Sequence, residues 1–438
     1  MTAGSGWRAT LRTLRRQVLS GGRAPVAVAV TATSSLGNLL LSVTVAHGGS
    51  LSELGRYALA FSLYVLVSGL ARAMVTESVL AETDRRDPTP FRRSARRVCL
   101  LGAGAGALVG TVGLLAGNHY LTVVGPALPG LVLYDYLKAY GLGVADPRRI
   151  LRYELVWTVA SAVAAGLGLA GRISALTVFV VWAGAGAAVG WVGAARRRCA
   201  LLPGWPVGRT ETRNALAFGL HFLVGSGTAQ LATAALATVA GTAVVGALGG
   251  AKTALGPITL LLGATSALLI PYLARSRDAG PRVRLRSAAR ITGAIGLLVG
   301  PLALLLPALP DPVGRALLGA NWAHARPLLP ALAVESVFMV AAMVAFAGHR
   351  IERAGARTLL LGAVLGPVRV GAIVGAGHLF GAAGAAGRWP GSPAAPPPAG
   401  GGATARCSGP ATGRNRCWNR SEPARRSRPA VGRNCRCR

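Results

Sequence analysis

Apolar residues along this chain are gathered into long runs separated by short polar segments. At about 1.5 Å rise per residue, roughly 20 apolar residues cross the ~30 Å hydrocarbon core of a bilayer. Runs of that kind recur at residues 25–46, 57–80, 98–117, 119–137, 154–171, 173–194, 214–238, 243–273, 289–309, 327–347 and 358–377. The pattern predicts an all-α integral membrane protein with about 11 transmembrane helices. The first run is too long for the apolar core of a secretory signal, and the many spans after it mark it as a helix that stays.

The polar segments carry a second pattern. Alternate segments are rich in arginine, and together they hold 29 cationic residues, against four (Arg56, Arg172, Arg315 and Arg326) in the segments between them. Strict alternation of this kind is the positive-inside signature and predicts a cytoplasmic N-terminus. It also changes the meaning of the net charge of +33. A basic balance is ordinarily the footprint of a nucleic-acid surface, but here it is mostly an orientation signal, with membrane lipids and their anionic headgroups as its partner and no nucleic acid.

Organisation follows from the spacing. Residues 1–24 form a basic cytoplasmic N-terminus, 25–195 a first lobe of six helices, 196–213 a cytoplasmic loop ("RRRCALLPGWPVGRTETR"), and 214–386 a second lobe of helices 7–11. A faint internal echo supports two pseudo-symmetric lobes. "SSLGNLLLSVTVAHGGSLSELGRYALA" and "GSGTAQLATAALATVAGTAVVGALGGA" each set small residues and an amide, Asn38 or Gln230, before a glycine-marked outer turn. Halves that both begin inside are parallel repeats. Residues 387–438 break the pattern: eight prolines and eleven arginines stand there with a single acid, Glu422, and no apolar run. Such a tail builds no core and no span. It reads as a disordered replacement for a twelfth helix, from a shifted reading frame.

Composition agrees, with 52% hydrophobic and only 14% charged residues, against roughly 25% charged in soluble domains. The charges inside the spans are therefore the informative ones, because each costs a few kcal/mol at mid-bilayer unless it finds a partner, a wet cavity or an interface. In "YALAFSLYVLVSGLARAMVTESVLA" Arg72 lies ~22 Å and Glu77 ~30 Å below the outer entry at Tyr57, and five residues of α-helix set them about 140° apart, so they do not pair. Lys252 and Arg369 fall near the midplane. Glu335 stands at a depth where it can neutralise Lys252, and the alternative is that Lys252 faces a lumen. Asp135 and Lys138, three apart near a cytoplasmic helix end, read as a local ion pair. His221 reads as a hydrogen-bonded helix contact or a proton relay. The net lean toward cations in the second lobe suits an anionic substrate, with phosphate or pyrophosphate as the class.

Other strings have plain readings. "GAGAGA" at residues 102–107 and "AGAGAA" from Ala183 sit inside spans, where they are close helix-packing surfaces and not phosphate loops. Prolines 126, 129, 257, 271, 301 and 367 are expected to break spans. The six cysteines supply neither a disulfide framework nor paired metal-ligand spacing, and no metal or other cofactor is implied. Walker, HExxH and nucleophile-elbow sequences are missing, which argues against an ATP-driven machine and against an enzyme.

Four stretches resemble the polysaccharide flippases of the MOP superfamily, the lipid-linked oligosaccharide exporters related to MATE transporters: "LGRYALAFSLYVLVSGLARAMVTESVLA", "YGLGVADPRRILRYELVWTVASAVAAG", "VAGTAVVGALGGAKTALGPITLLLGATSALLIPYLARS" and "LLGANWAHARPLLPALAVE". The likeness covers about residues 26–386. It implies two lobes around a central cavity and alternating access that carries an undecaprenyl-pyrophosphate-linked saccharide out of the bacterial cytoplasmic membrane. It further implies that Arg56, Arg72, Lys252 and Arg369 hold the pyrophosphate and that Glu77 and Glu335 couple an ion gradient, with polysaccharide-assembly membrane proteins as partners. One departure is plain: the family's last helix has no counterpart here. Two other readings compete. A MATE-like drug or metabolite exporter would want more carboxylates in its lobes. A membrane glycosyltransferase or polymerase would want a large outer loop, whereas residues 310–326 offer only Asp311 and His324 as acid or base.

Overall fold

A computed structural model of the chain describes residues 24–82, 87–144, 146–225, 227–274, 280–351 and 355–385. The predicted N-terminal segment before residue 24 and the tail from residue 387 lie outside the described residues.

Helices account for nearly all of what is described, with no strand among those residues. In chain order they are α1 (Ala24–Gly48), α2 (Leu51–Ala71), a π-helical turn (Arg72–Thr76), α3 (Glu77–Glu82), α4 (Thr89–Leu115), α5 (His119–Gly143), α6 (Pro147–Leu169) and α7 (Ala175–Arg196). There follow α8 (Arg209–Gly225), α9 (Thr228–Val239), α10 (Thr242–Ala254), α11 (Gly256–Ala274), α12 (Pro281–Leu305), α13 (Asp311–Leu318), α14 (Trp322–Ala325), α15 (Leu329–Ile351) and α16 (Gly355–Ala385). Local chemistry sets the starts. Ser50 and Glu53 form a reciprocal capping box at α2, each side chain accepting the other's backbone N–H. Asp146 caps α6 just before Pro147 at its first position.

Each of the eleven predicted runs falls on helix. Eight helices are long and apolar enough to cross a membrane, and ten if α8 with α9 and α10 with α11 each count as one span bent by 63°. The remaining run is α5, 25 residues long, which is ample for a bilayer. It is the most enclosed helix of the first half: sixteen of its residues are buried, and it packs against α4, α7 and α2. The chain is thus a multi-pass, all-α membrane protein.

The small-residue strings do pack helices. A methyl on Gly102 would stand 2.7 Å from the Cα of Pro129, and those on Gly106 and Gly190 would strike the carbonyls of Gly125 and Gly130. Glycine here buys backbone contact between α4, α5 and α7. The prolines behave differently from expectation. Pro126 and Pro129 lie inside α5, Pro301 inside α12 and Pro367 inside α16, and Pro271 falls within α11. Only Pro257 sits at a break, and the matching bend between α8 and α9 centres on Gly227, with no proline. A proline removes one N–H and crowds one turn, and close packing supplies the rest of the geometry; Pro129 is itself part of the α4–α5 contact.

Helices α1 and α4–α7 pack mainly on one another, as do α8, α9, α11, α12, α15 and α16. Helix α2 belongs to both sets, touching α5 on one side and α9 and α10 on the other. The loop predicted at residues 196–213 is shorter in the structure, since α7 ends at Arg196 and α8 already begins at Arg209.

Candidate functional site

The junction between the two sets of helices is built around α2 and α10. Both start from glycine-marked turns, at Gly49 and at Gly241 with φ +89°, and these are the turns of the internal echo. From there the helices run side by side in the same direction. Ser52 Oγ lies 2.8 Å from Thr242 Oγ1. A methyl on Gly55 would land on the carbonyl of Thr242, and one on Gly246 on the carbonyl of Leu51. The paired helices therefore touch backbone to backbone at this end. The segment after α13 adds a clamp: the Asn321 side-chain amide donates to Ala46 O at 2.7 Å and to Gly49 O at 2.8 Å. Beneath it Trp322 Nε1 and Arg326 Nη1 both donate to Asp311 Oδ1, at 2.8 and 2.6 Å.

At the opposite end the basic segments converge. The linker between α7 and α8 is strapped to α4 by Ala200 N–H to Arg92 O (3.0 Å) and by Arg96 Nε to Leu202 O (3.2 Å). Arg97, 5% exposed, reaches Glu211 on α8 at 3.3 Å and lies 5.8 Å over the Trp205 ring. Arg197 lies 5.2 Å over the Tyr140 ring. Arginines from α4, α7 and the linker thus share one end of the bundle, as alternation requires; those at residues 85, 86, 275 and 277 lie outside the described residues.

Of the predicted site residues, Arg56 and Lys252 lie on the two helices of this junction, and Arg72, Glu77, Glu335 and Arg369 on other elements. Arg56, half-buried, follows Gly55 on α2; Lys252 is exposed in the last turn of α10. Glu335 is exposed on α15, which touches α10. Arg369 lies on α16, which packs against α8, α9 and α10, and its side chain is outside the described residues. Arg72 and Glu77 are both exposed, and their relation differs from the sequence expectation. The π-helical turn spans Arg72–Thr76 and closes with the Glu77 N–H donating to Arg72 O. A π turn takes about one residue more than an α-helical turn, so i and i+5 fall near one another around the axis and the two charges point to the same side and are not 140° apart. The α-helical period cannot reveal this. Helix α8 packs on this turn, where a methyl on Gly219 would stand 2.8 Å from Met74 Cγ. His221 on the same helix is half-buried.

A second polar cluster lies inside the first set of helices. Glu154 on α6 is 1% exposed. Lys138 Nζ on α5 sits 3.0 Å from Glu154 Oε2 and donates to Ser34 Oγ on α1 at 2.8 Å. Tyr134 OH donates to the same carboxylate at 2.5 Å. Lys138 therefore pairs across helices and not with Asp135, three residues back. A solvated i,i+3 pair is worth only a few tenths of a kcal/mol, whereas a buried carboxylate left alone costs several, so the lysine goes to Glu154. The run starting at residue 154 hid this site; α6 begins at Pro147, which carries Glu154 about 10 Å inside at ~1.5 Å per residue. Around it Trp182 Nε1 donates to Asn38 Oδ1 (3.3 Å) and Trp157 Nε1 to Trp182 O (2.8 Å). Among the described residues no three His, Cys, Asp or Glu side chains gather to hold a metal.

No protein-family model matches the chain, and no curated protein matches it in sequence. Solved structures do match it in shape. An inward-facing multidrug resistance MATE family transporter of the MOP superfamily superposes with a TM-score of 0.60 at 16% identity, over 83% of this chain and 93% of that one. The lipid II flippase MurJ, in an inward closed conformation, gives a TM-score of 0.60 at 11% identity, over 82% of this chain and 83% of that one. The fold is the one MOP-superfamily transporters share. At such identities the likeness extends to architecture alone.

Proposed function

We propose that the chain is an alternating-access transporter that moves a lipid-linked anionic saccharide, of the undecaprenyl-pyrophosphate class, across the cytoplasmic membrane. The observation that supports this reading is the junction: two sets of helices meet along α2 and α10, Arg56 and Lys252 lie on those two helices, Arg72 on the turn that continues α2, and Arg369 on α16, which touches α10. A cavity that must dehydrate a diphosphate needs cations held in a low-dielectric surround. Arg56, Arg72, Lys252 and Arg369 supply them, and Glu77 and Glu335 are the carboxylates available for ion coupling. The tight contacts at the Ser52–Thr242 end are the closed gate, and the 63° bends at Gly227 and near Pro257 are where helices of the second half flex. The same fold serves the MATE family transporter and the lipid II flippase; the excess of cations over carboxylates favours phosphorylated cargo over cationic drugs.

The test is reconstitution. Purified protein in vesicles is expected to translocate a fluorescent pyrophosphate-linked glycolipid between leaflets, and Lys252→Ala or Arg72→Ala to slow it at least about tenfold, the loss of ~1.4 kcal/mol of binding, with unfolding temperature unchanged. Undiminished transport after all four cations are neutralised would remove the site, and transport of a cationic dye in its place would favour the drug-exporter reading.

A further inference from the structure

The Glu154 cluster takes no part in the proposed substrate site, and its chemistry asks what it does. We propose that Lys138 is a built-in counter-cation for Glu154, so that the polar core of the first half takes up neither a proton nor a small cation from solution while the carrier works. A carboxylate 1% exposed inside a membrane protein has three ways to avoid the cost of a bare charge: bind a proton, bind a metal cation, or keep a cationic side chain beside it. The ammonium of Lys138, 3.0 Å away, is the third, and it is tethered, so no binding from solution is needed. Its second bond, to Ser34 Oγ at 2.8 Å, fixes it in place, while Tyr134 OH donates to the same carboxylate oxygen, Oε2, that faces the ammonium.

The surroundings fit a site whose cation is already present. A narrow crevice beside the carboxylate is lined by Ser34, Asn38, Glu154, Thr158, Ser161 and Trp182, and it leaves no space for a water molecule. The hydroxyls and the amide oxygen are the ligand types that a small hard cation takes. Tyr64 and Tyr134 interact electrostatically with Glu154 and also with Asp135, so the charged groups of this cluster are Lys138, Glu154 and Asp135, with the two tyrosines in the field of both carboxylates. Deleting the lysine stem would open the room an ion needs and leave Glu154 to recruit one. On this inference charge coupled to transport enters elsewhere, at exposed carboxylates such as Glu77 and Glu335.

Thermal unfolding of the full chain in detergent, in sodium against choline chloride and on acidification, tests the inference without a transport assay; failure of glycolipid flipping therefore leaves it standing, and the reverse. Lys138→Ala is expected to gain, over the wild type, a rise in unfolding temperature on the order of 3 °C with sodium or with acid. Lys138→Ala/Glu154→Gln is expected to lose that added response. Should Lys138→Ala fail to accumulate, recovery of the double variant supports the counter-charge role, and failure of both overturns it. A Lys138→Ala protein that answers sodium and acid no more than the wild type does, or a wild-type response abolished in the double variant, overturns it as well.

Discussion

Single residues carry more of this protein's organisation than their chemistry suggests. Cys199 closes α7 in the αL turn that Arg198 makes with φ +56°, and burial pushes its thiol up to about 11, against a smaller downward pull from Arg197 and Arg92. The thiolate is the reactive form, and a rise from the ordinary 9.0 to about 11 leaves ~100-fold less of it at neutral pH. A variant keeping Cys199 as its sole cysteine should therefore be alkylated about 100-fold more slowly than a free thiol at neutral pH, with the rate climbing roughly tenfold per pH unit until about 11 and reverting to the ordinary value in denaturant. A neutral-pH rate equal to a free thiol's would show that the linker does not cover it. Glu154 teaches the complementary lesson: it was legible only as the edge of an apolar run, because nothing in the local sequence says that a lysine sixteen residues earlier will reach it.

At the scale of the element, the π turn at Arg72–Thr76 is the feature that periodicity misreads. A π turn amounts to one residue more than the α-helix wants, and it persists where the surrounding structure holds it; here α8 packs against it. Deleting Ala73 should restore an α-helical register, leave Arg72 and Glu77 on one face at i, i+4 spacing and keep the fold intact. In vesicles the expected result is loss of glycolipid flipping with an unchanged or higher unfolding temperature. Full activity would mean that the π turn itself is dispensable for transport. The small-residue strings, by contrast, were readable from sequence, since repeated glycine inside an apolar span has few uses other than close packing. The prolines were not: whether a proline bends a helix depends on the neighbours that support its freed carbonyl, and in α5 those neighbours keep it straight enough to stay continuous.

For the whole molecule, the contact between Ser52 and Thr242, 2.8 Å oxygen to oxygen, decides what motion is possible. Alternating access requires this end to part. In a background with the six native cysteines replaced, Ser52→Cys/Thr242→Cys should cross-link under oxidation and stop transport, and a reductant should restore it; transport that continues in the cross-linked protein would show that the seam stays shut throughout the cycle. Asn321 ties the same end from a third direction, so the proposed gate draws on segments from both halves.

What the sequence determined by itself was the class: all-helical, multi-pass, with basic segments alternating along the chain. Those follow from apolar run length against bilayer thickness and from counting arginines, and neither depends on which helix lies beside which. The tertiary structure alone decided the partners: α2 against α10 and Lys138 against Glu154. Pairings of that kind are settled by packing and by the cost of burying an unmatched charge, which depend on distances between segments far apart in the chain and leave no mark on the local pattern of letters.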